Sequence, residues 1–326
     1  MKSIEVSAPG KLMLLGEHAV VYGYPCIVTA VDRRMRVSVT ANPSNKVEIE
    51  APDVGLSDYS LEINRLKNNR VLPKGARFVV AAISNFFDKF SIKSGLEIKT
   101  QSDFSSEFGF GSSSAVTVAV IQGLSELFGI KMEKKDLFDL SYKTVLDVQG
   151  TGSGFDLAAA IWGGTLWFVA GGKTVLPLKV EELPIVVGYT GIKANTPALI
   201  KRVAEEQETY PEIITKIFEV ISLSVQEAKT ALEERNWPKL GKLMNINQGL
   251  LESLGVNTRE LSSLIYACRE RGAFGAKLSG AGGGDCMIAL VDNQTKATVQ
   301  QAITGAGGKV LEVKLGAKGV RNESHS

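Results

Sequence analysis

Three stretches of this sequence carry residue types whose spacing suits the handling of phosphate. In "EFGFGSSSAVTVAVIQGL", residues 107–124, two glycines and three serines run straight into an apolar, helix-like segment. The first turn of a helix leaves four backbone N–H groups without intrahelical acceptors, and the helix dipole adds roughly half a positive charge there. Gly109 and Gly111 would let the backbone approach a ligand, and Ser112, Ser113 and Ser114 stand at the helix entrance with hydroxyls to offer. An N-cap would account for Ser112 alone, but not for three serines behind two glycines. In "SAPGKLMLLGEHAVVYG", residues 7–23, Lys11, Glu17 and His18 fall within eight residues. In "KLSGAGGGDCMIAL", residues 277–290, four glycines occupy the five positions from 280 to 284. Ordering glycine is costly, so such a cluster marks tight turns or close approach to a ligand.

The common nucleotide motifs are absent. "GGKT" at 171–174 has Trp167 where a G-x-x-x-x-G-K-[ST] loop needs its leading glycine, and "GFGSSS" fails G-x-G-x-x-G at its last position. No H-E-x-x-H and no protein-kinase H-R-D-L set is present.

The elements that must position these residues are legible from periodicity. Residues 3–8, 27–40, 46–50 and 94–100 read as strands, and residues 76–90 have helical spacing. A buried helix is expected over 114–128, and another around Leu137, Leu140, Val145 and Val148. "GTGSGFDLAAAIWGG" is a glycine-bounded segment with a helical centre. Strands follow at 164–170 and 185–189, with a glycine-rich turn between them; the aromatics of "IWGGTLWF" read as core. Beyond about residue 195 the pattern becomes long amphipathic helices, with Pro197 and Pro211 near helix starts. Further helices are expected near 237–254, 257–271 and 294–304, and strands at "CMIALV" and "KVLEVKL". The tail "RNESHS", with His325, reads as frayed. Mixed elements on both sides of a soft boundary near 180 give an α+β class, with domains at 1–180 and 181–326.

Composition narrows the function classes. Across 326 residues the net charge is +2 with the signs interspersed, which gives no field for a nucleic acid or an acidic membrane surface. Three scattered cysteines argue against a disulfide framework or a zinc site, and a cytoplasmic location is expected. The start reads as a strand, not a signal peptide, and no apolar run reaches the ~20 residues of a membrane span.

Taken together, "PGKLMLLGEH", "GFGSSSA" and "KLSGAGGGD" resemble the three motifs of the GHMP small-molecule kinases, in that family's order and spacing. "GEHAVVYGYPCIVTAVDRR", "SGAGGGDCMIAL" and "TGIKANTPALIKRV" resemble its mevalonate kinases, the last of these in the segment that closes over substrate. "SGFDLAAAIWG" is closer to phosphomevalonate kinases. The resemblance implies an N-terminal domain like ribosomal protein S5, a ferredoxin-like C-terminal domain, and ATP and Mg²⁺ in the cleft between them. It implies a small alcohol such as mevalonate as acceptor, no nucleic acid or membrane partner, and leaves a homodimer open. Carried over by position, Asp156 would be the catalytic carboxylate with Lys11 beside it. Gly109, Phe110, Gly111, Ser112, Ser113 and Ser114 would hold ATP, with Ser113 on the metal. Glu17, His18, Thr196 and Gly280 would line the acceptor pocket. The chain departs from the family pattern in three places. Ser105 and Glu107 replace the usual proline and small residues, "QGTGSGFD" replaces H-G-x-P-S-G, and Val145 stands where a magnesium-binding glutamate is usual. Glu107 and Asp147 remain as alternatives for that ligand.

Overall fold

In the computed structural model, which describes residues 2–67, 72–105, 107–180 and 182–324, the first strand explains the architecture. Strand β1 (Ser3–Leu15) starts with a half-exposed alternation and then becomes buried on both faces. Ile4, Val6, Ala8 and Met13 pack into one apolar core, whereas Leu12, Leu14 and Leu15 pack into a second. Strand β2 (Pro25–Asn42) divides in the same way, with Val28, Val37 and Val39 in the first core and Ile27 and Val31 in the second. This hairpin is therefore the wall between two hydrophobic bodies.

The first body is an eight-stranded sheet. Its main path runs β12-β1-β2-β5-β3-β4, where β3 is Lys46–Ala51, β4 Leu56–Glu62, β5 Gly95–Ser102 and β12 Arg321–Asn322. Strand β2 is long enough to hold β5 along its second half and β6 (Thr165–Val169) along its first, and β6 carries β7 (Thr174–Leu178). The helices α1 (Arg77–Phe90), α2 (Ser112–Phe128), α3 (Lys134–Gln149) and α4 (Phe155–Trp162) bury their apolar residues in the first core. The second body is an antiparallel sheet, β11-β8-β10-β9, built from Lys309–Leu311, Ile185–Tyr189, Cys286–Leu290 and Gly275–Ser279. Helices α5 (Thr196–Thr209), α6 (Pro211–Glu233), α7 (Trp237–Ser253), α8 (Arg259–Glu270) and α9 (Lys296–Gly305) accompany it.

Several expectations need correction. Strand β7 lies between the 164–170 and 185–189 segments, and those two segments belong to different sheets. The strand expected at 309–315 shrinks to β11, because the chain leaves the second sheet at Leu311. The tail is not frayed as far as Ser324. Arg321 and Asn322 pair with Ser7 and Val6, Ser7 Oγ donates to Glu323, and buried Arg34 donates to the carbonyls of Ser7, Lys318 and Gly319. His325 lies outside the described residues.

Candidate active site

The site begins at an irregularity in β1. The register with β2 shifts between Pro9 and Gly10, and just beyond it Lys11 N donates to Phe110 O at 3.0 Å. A bulge of this kind re-aims a side chain. The Lys11 ammonium lies 3.1 Å from Asp156 Oδ1, donates to Gly109 O at 2.9 Å, and sits 5.3 Å from the centre of the Phe155 ring. Asp156 is not the cap of its helix: Gly154 is, with φ 89°, and Asp156 stands in the first turn, where the helix dipole favours a carboxylate. Its side chain keeps 29% exposure, so the pair is open to a ligand on one side.

The glycine–serine turn closes over this pair. Gly111, at φ 80°, caps α2, and the amides of Ser114 and Ala115 donate back to its carbonyl. A Cβ at Gly111 would lie 3.2 Å from Asp156 Oδ1 and 3.3 Å from Lys11 Cε, so the backbone approaches both charged groups as closely as a side chain would. Ser112 and Ser113 form the helix entrance beside them. Phe110 contributes only its backbone; its ring is buried between Phe104 and Phe108, 5.8 Å from each.

The opposite wall comes from the second sheet. The loop joining β9 to β10 holds the glycine cluster, so the segment is both a hairpin connection and a wall of the site. His18 Nε2 bonds Ala281 O at 2.9 Å. His18 itself has φ 60° and ψ −51°, and Ala19 N donates to Glu17 O at 2.7 Å, closing a rare, strained γ-turn centred on the histidine. Burial lowers the His18 pKa below its ordinary 6.5, opposed by the bond to Ala281. Glu17, expected in the acceptor pocket, instead turns inward, 1% exposed, and pairs with fully buried Lys277. Burial raises the Glu17 pKa and lowers that of Lys277, each held back by the other's charge. Gly280, at φ 103°, leaves open space where a Cβ would point.

Asp285 is a further functional group that the sequence did not single out. Its Oδ1 accepts from Ala194 N at 2.9 Å, and a Cβ on Gly109 would lie 2.5 Å from its Oδ2. It therefore wedges the 190–194 segment against the glycine–serine turn. Thr196 stands exposed in the first turn of α5 and, among the described residues, shares no hydrogen bond with Lys11, Asp156 or His18. Of the two alternatives for a metal ligand, Asp147 is occupied by Lys143 at 2.7 Å and Asn85 at 2.8 Å between α3 and α1. Desolvation is the largest single influence and raises its pKa, but the contacts with Lys143 and Asn85 together outweigh it and leave the carboxyl lowered. Glu107 is exposed, beyond the helix entrance, and Val145 is core. Among the described residues no three His, Cys, Asp or Glu side chains stand close enough together to hold a metal ion. The oxygen donors present, serine hydroxyls and one carboxylate, suit a hard cation that keeps most of its shell from phosphate and water, as Mg²⁺ does.

The sequence pattern of the GHMP kinases N terminal domain matches residues 77–164, and that of the GHMP kinases C terminal domain matches 228–309. A mevalonate kinase of Thermococcus sibiricus is 39% identical over 97% of this chain and 97% of its own. The chain belongs to the GHMP kinase family. A second relative of this GHMP kinase, the mevalonate kinase of Pyrococcus horikoshii, is 38% identical over 100% of this chain and 99% of its own. The crystal structure of the Methanococcus jannaschii mevalonate kinase superposes on this GHMP kinase with a TM-score of 0.82, 26% identity, and coverage of 96% and 98% of the two chains. The N-terminal match contains the α2 entrance and Asp156; Lys11, Glu17 and His18 precede it. As a kinase of this family the protein uses ATP. Among the described residues no helix is long and apolar enough to cross a membrane.

Proposed function

We propose that this protein is a mevalonate kinase, transferring the γ-phosphoryl group of ATP to the 5-hydroxyl of mevalonate. The observation that carries the reading is the Lys11–Asp156 pair, 3.1 Å apart, pressed against Gly111 at the start of α2. Its specificity rests on the full-length similarity to enzymes of that name.

Phosphoryl transfer asks an enzyme for positioning and for neutralisation of charge. Amides from Gly109 to Ser113 and the hydroxyls of Ser112, Ser113 and Ser114 bind the triphosphate, helped by the α2 dipole. Ser113 would hold Mg²⁺, which supplies charge neutralisation on the phosphate oxygens when bound. Asp156 accepts the acceptor's hydroxyl proton, and Lys11 stabilises the oxygen as it becomes an alkoxide. His18, Gly280 and the first turn of α5 with Thr196 enclose the acceptor, with Glu17 behind His18. The protein works in the cytoplasm on a small molecule, without a nucleic-acid partner.

The test is turnover of ATP and Mg²⁺ against mevalonate, 5-phosphomevalonate, homoserine and galactose, with the phosphorylated product identified by ³¹P NMR. ADP release with mevalonate and a product phosphorylated at the 5-oxygen is expected. Turnover only with 5-phosphomevalonate would replace mevalonate as the substrate, and turnover with none would end the kinase reading.

A further inference from the structure

Among the described residues the most deeply buried ion pair lies beside the catalytic pair, not within it. Glu17 and Lys277 are 1% and 0% exposed. Glu17 Oε1 accepts from Lys277 Nζ, which also donates to Leu278 O at 2.5 Å, while Glu17 Oε2 is buried with no partner. Such a pair adds little net stability, because desolvating two ions offsets their attraction. The best-attested use of such a group is to fix register.

The register at stake can be identified here. Glu17 follows the end of β1 in the first body, and Lys277 lies on β9 in the second. Two more tethers join the same segments. Ser279 Oγ donates to Met13 O at 2.9 Å and accepts from Met13 N at 3.1 Å, and His18 Nε2 bonds Ala281 O. Lys277 and Ser279 are two residues apart on β9 and so share a face. Met13 is two residues from Lys11, and Glu17 immediately precedes the strained residue 18. A strained backbone persists only where its surroundings hold it in place.

We propose that Glu17 and Lys277 form a buried latch between the two bodies that holds His18 in its γ-turn and against Ala281, making both of them positioning residues for the acceptor. Neither touches the reacting atoms. The latch sets where the acceptor wall stands relative to Lys11 and Asp156. The kinetic part of this proposal rests on the mevalonate kinase reading; the structural part does not.

The test compares wild type with Glu17→Gln, Lys277→Met and the double variant. Each single change leaves a buried group uncompensated and is expected to lower the melting temperature. The double variant removes both charges and is expected to fold with a melting temperature near that of wild type. Its kcat/KM for mevalonate should fall about tenfold or more, mainly through KM, while KM for ATP stays within about twofold. The chain has only two histidines, so the His18 ring resonances can be followed directly; they should shift in the double variant. A folded double variant with wild-type acceptor kinetics and unmoved His18 resonances would overturn the latch. So would a double variant that does not fold, which would make the pair a folding element. If wild type fails to phosphorylate mevalonate, the functional reading falls, while the His18 resonances still decide the latch.

Discussion

Gly111→Ala tests the core of the site with one methyl group. The residue holds φ 80°, where an L side chain costs about 1–2 kcal/mol. At roughly 2.1 cal/mol/K per residue, unfolding the whole chain carries an entropy of about 0.7 kcal/mol/K. The strain alone should therefore lower the melting temperature by about 2 °C. The added Cβ would also stand 3.2 Å from Asp156 Oδ1 and 3.3 Å from Lys11 Cε, closer than side chains normally pack. The pair must yield by a few tenths of an ångström. A 1 Å misplacement of reacting groups costs on the order of 10²-fold, so a shift of a few tenths of an ångström should lower kcat by about 3- to 6-fold. Gly150→Ala is the control: its φ is 75°, and a Cβ there would meet nothing within 4 Å. It should lose similar stability and keep its kcat. Both variants would be assayed by coupled ADP release with saturating ATP and mevalonate, alongside thermal melting. If Gly111→Ala matches Gly150→Ala in melting temperature and in kcat, the glycine–serine turn is not pressed against the Lys11–Asp156 pair.

Asp156→Asn removes the proposed proton acceptor while keeping the shape, and should lower kcat by about 10²- to 10⁴-fold with little change in ATP binding by calorimetry. His18 links stability to pH. Its folded pKa lies below 6.5, so the unfolded chain takes up the proton first as pH falls. The stability it contributes is complete above about pH 6.5 and is lost as pH falls below it. His18→Asn, which tolerates positive φ, should flatten the fall in urea midpoint between pH 7 and pH 5.5; parallel curves would contradict this. Arg34→Met strips donors from the carbonyls of Ser7, Lys318 and Gly319, and should cost about 3 kcal/mol in urea unfolding, with faster proteolysis of the C-terminal segment.

Much of the site was legible because its parts are local. The glycines and serines of 109–114 need positive φ and a helix start in consecutive residues, and periodicity placed α2 directly after them. Lys11, Glu17 and His18 stood out as polar residues in an otherwise apolar stretch, although the inward turn of Glu17 was not visible. Its partner Lys277 lies 260 residues away, and nothing local distinguishes a buried lysine from a solvated one. Asp285 hid in the same way, as one polar residue after four glycines, with its role set by Ala194 and Gly109. In the fold, β4 escaped notice because its residues are mostly exposed, β7 because Pro177 interrupts an exposed run, and β12 because it spans two residues.

The pairing of β12 with β1 has a consequence for synthesis. Strand β1 leaves the ribosome well before β12, its neighbour at Val6 and Ser7. Until then the nascent protein carries an open sheet edge, with the Arg34 guanidinium lacking the carbonyls of Lys318 and Gly319. An unsealed edge is a template for another molecule. A fragment stopped near residue 180 would keep that edge permanently, so the second body is topologically an insertion within the first, and cutting the two apart should yield aggregation instead of two folded halves.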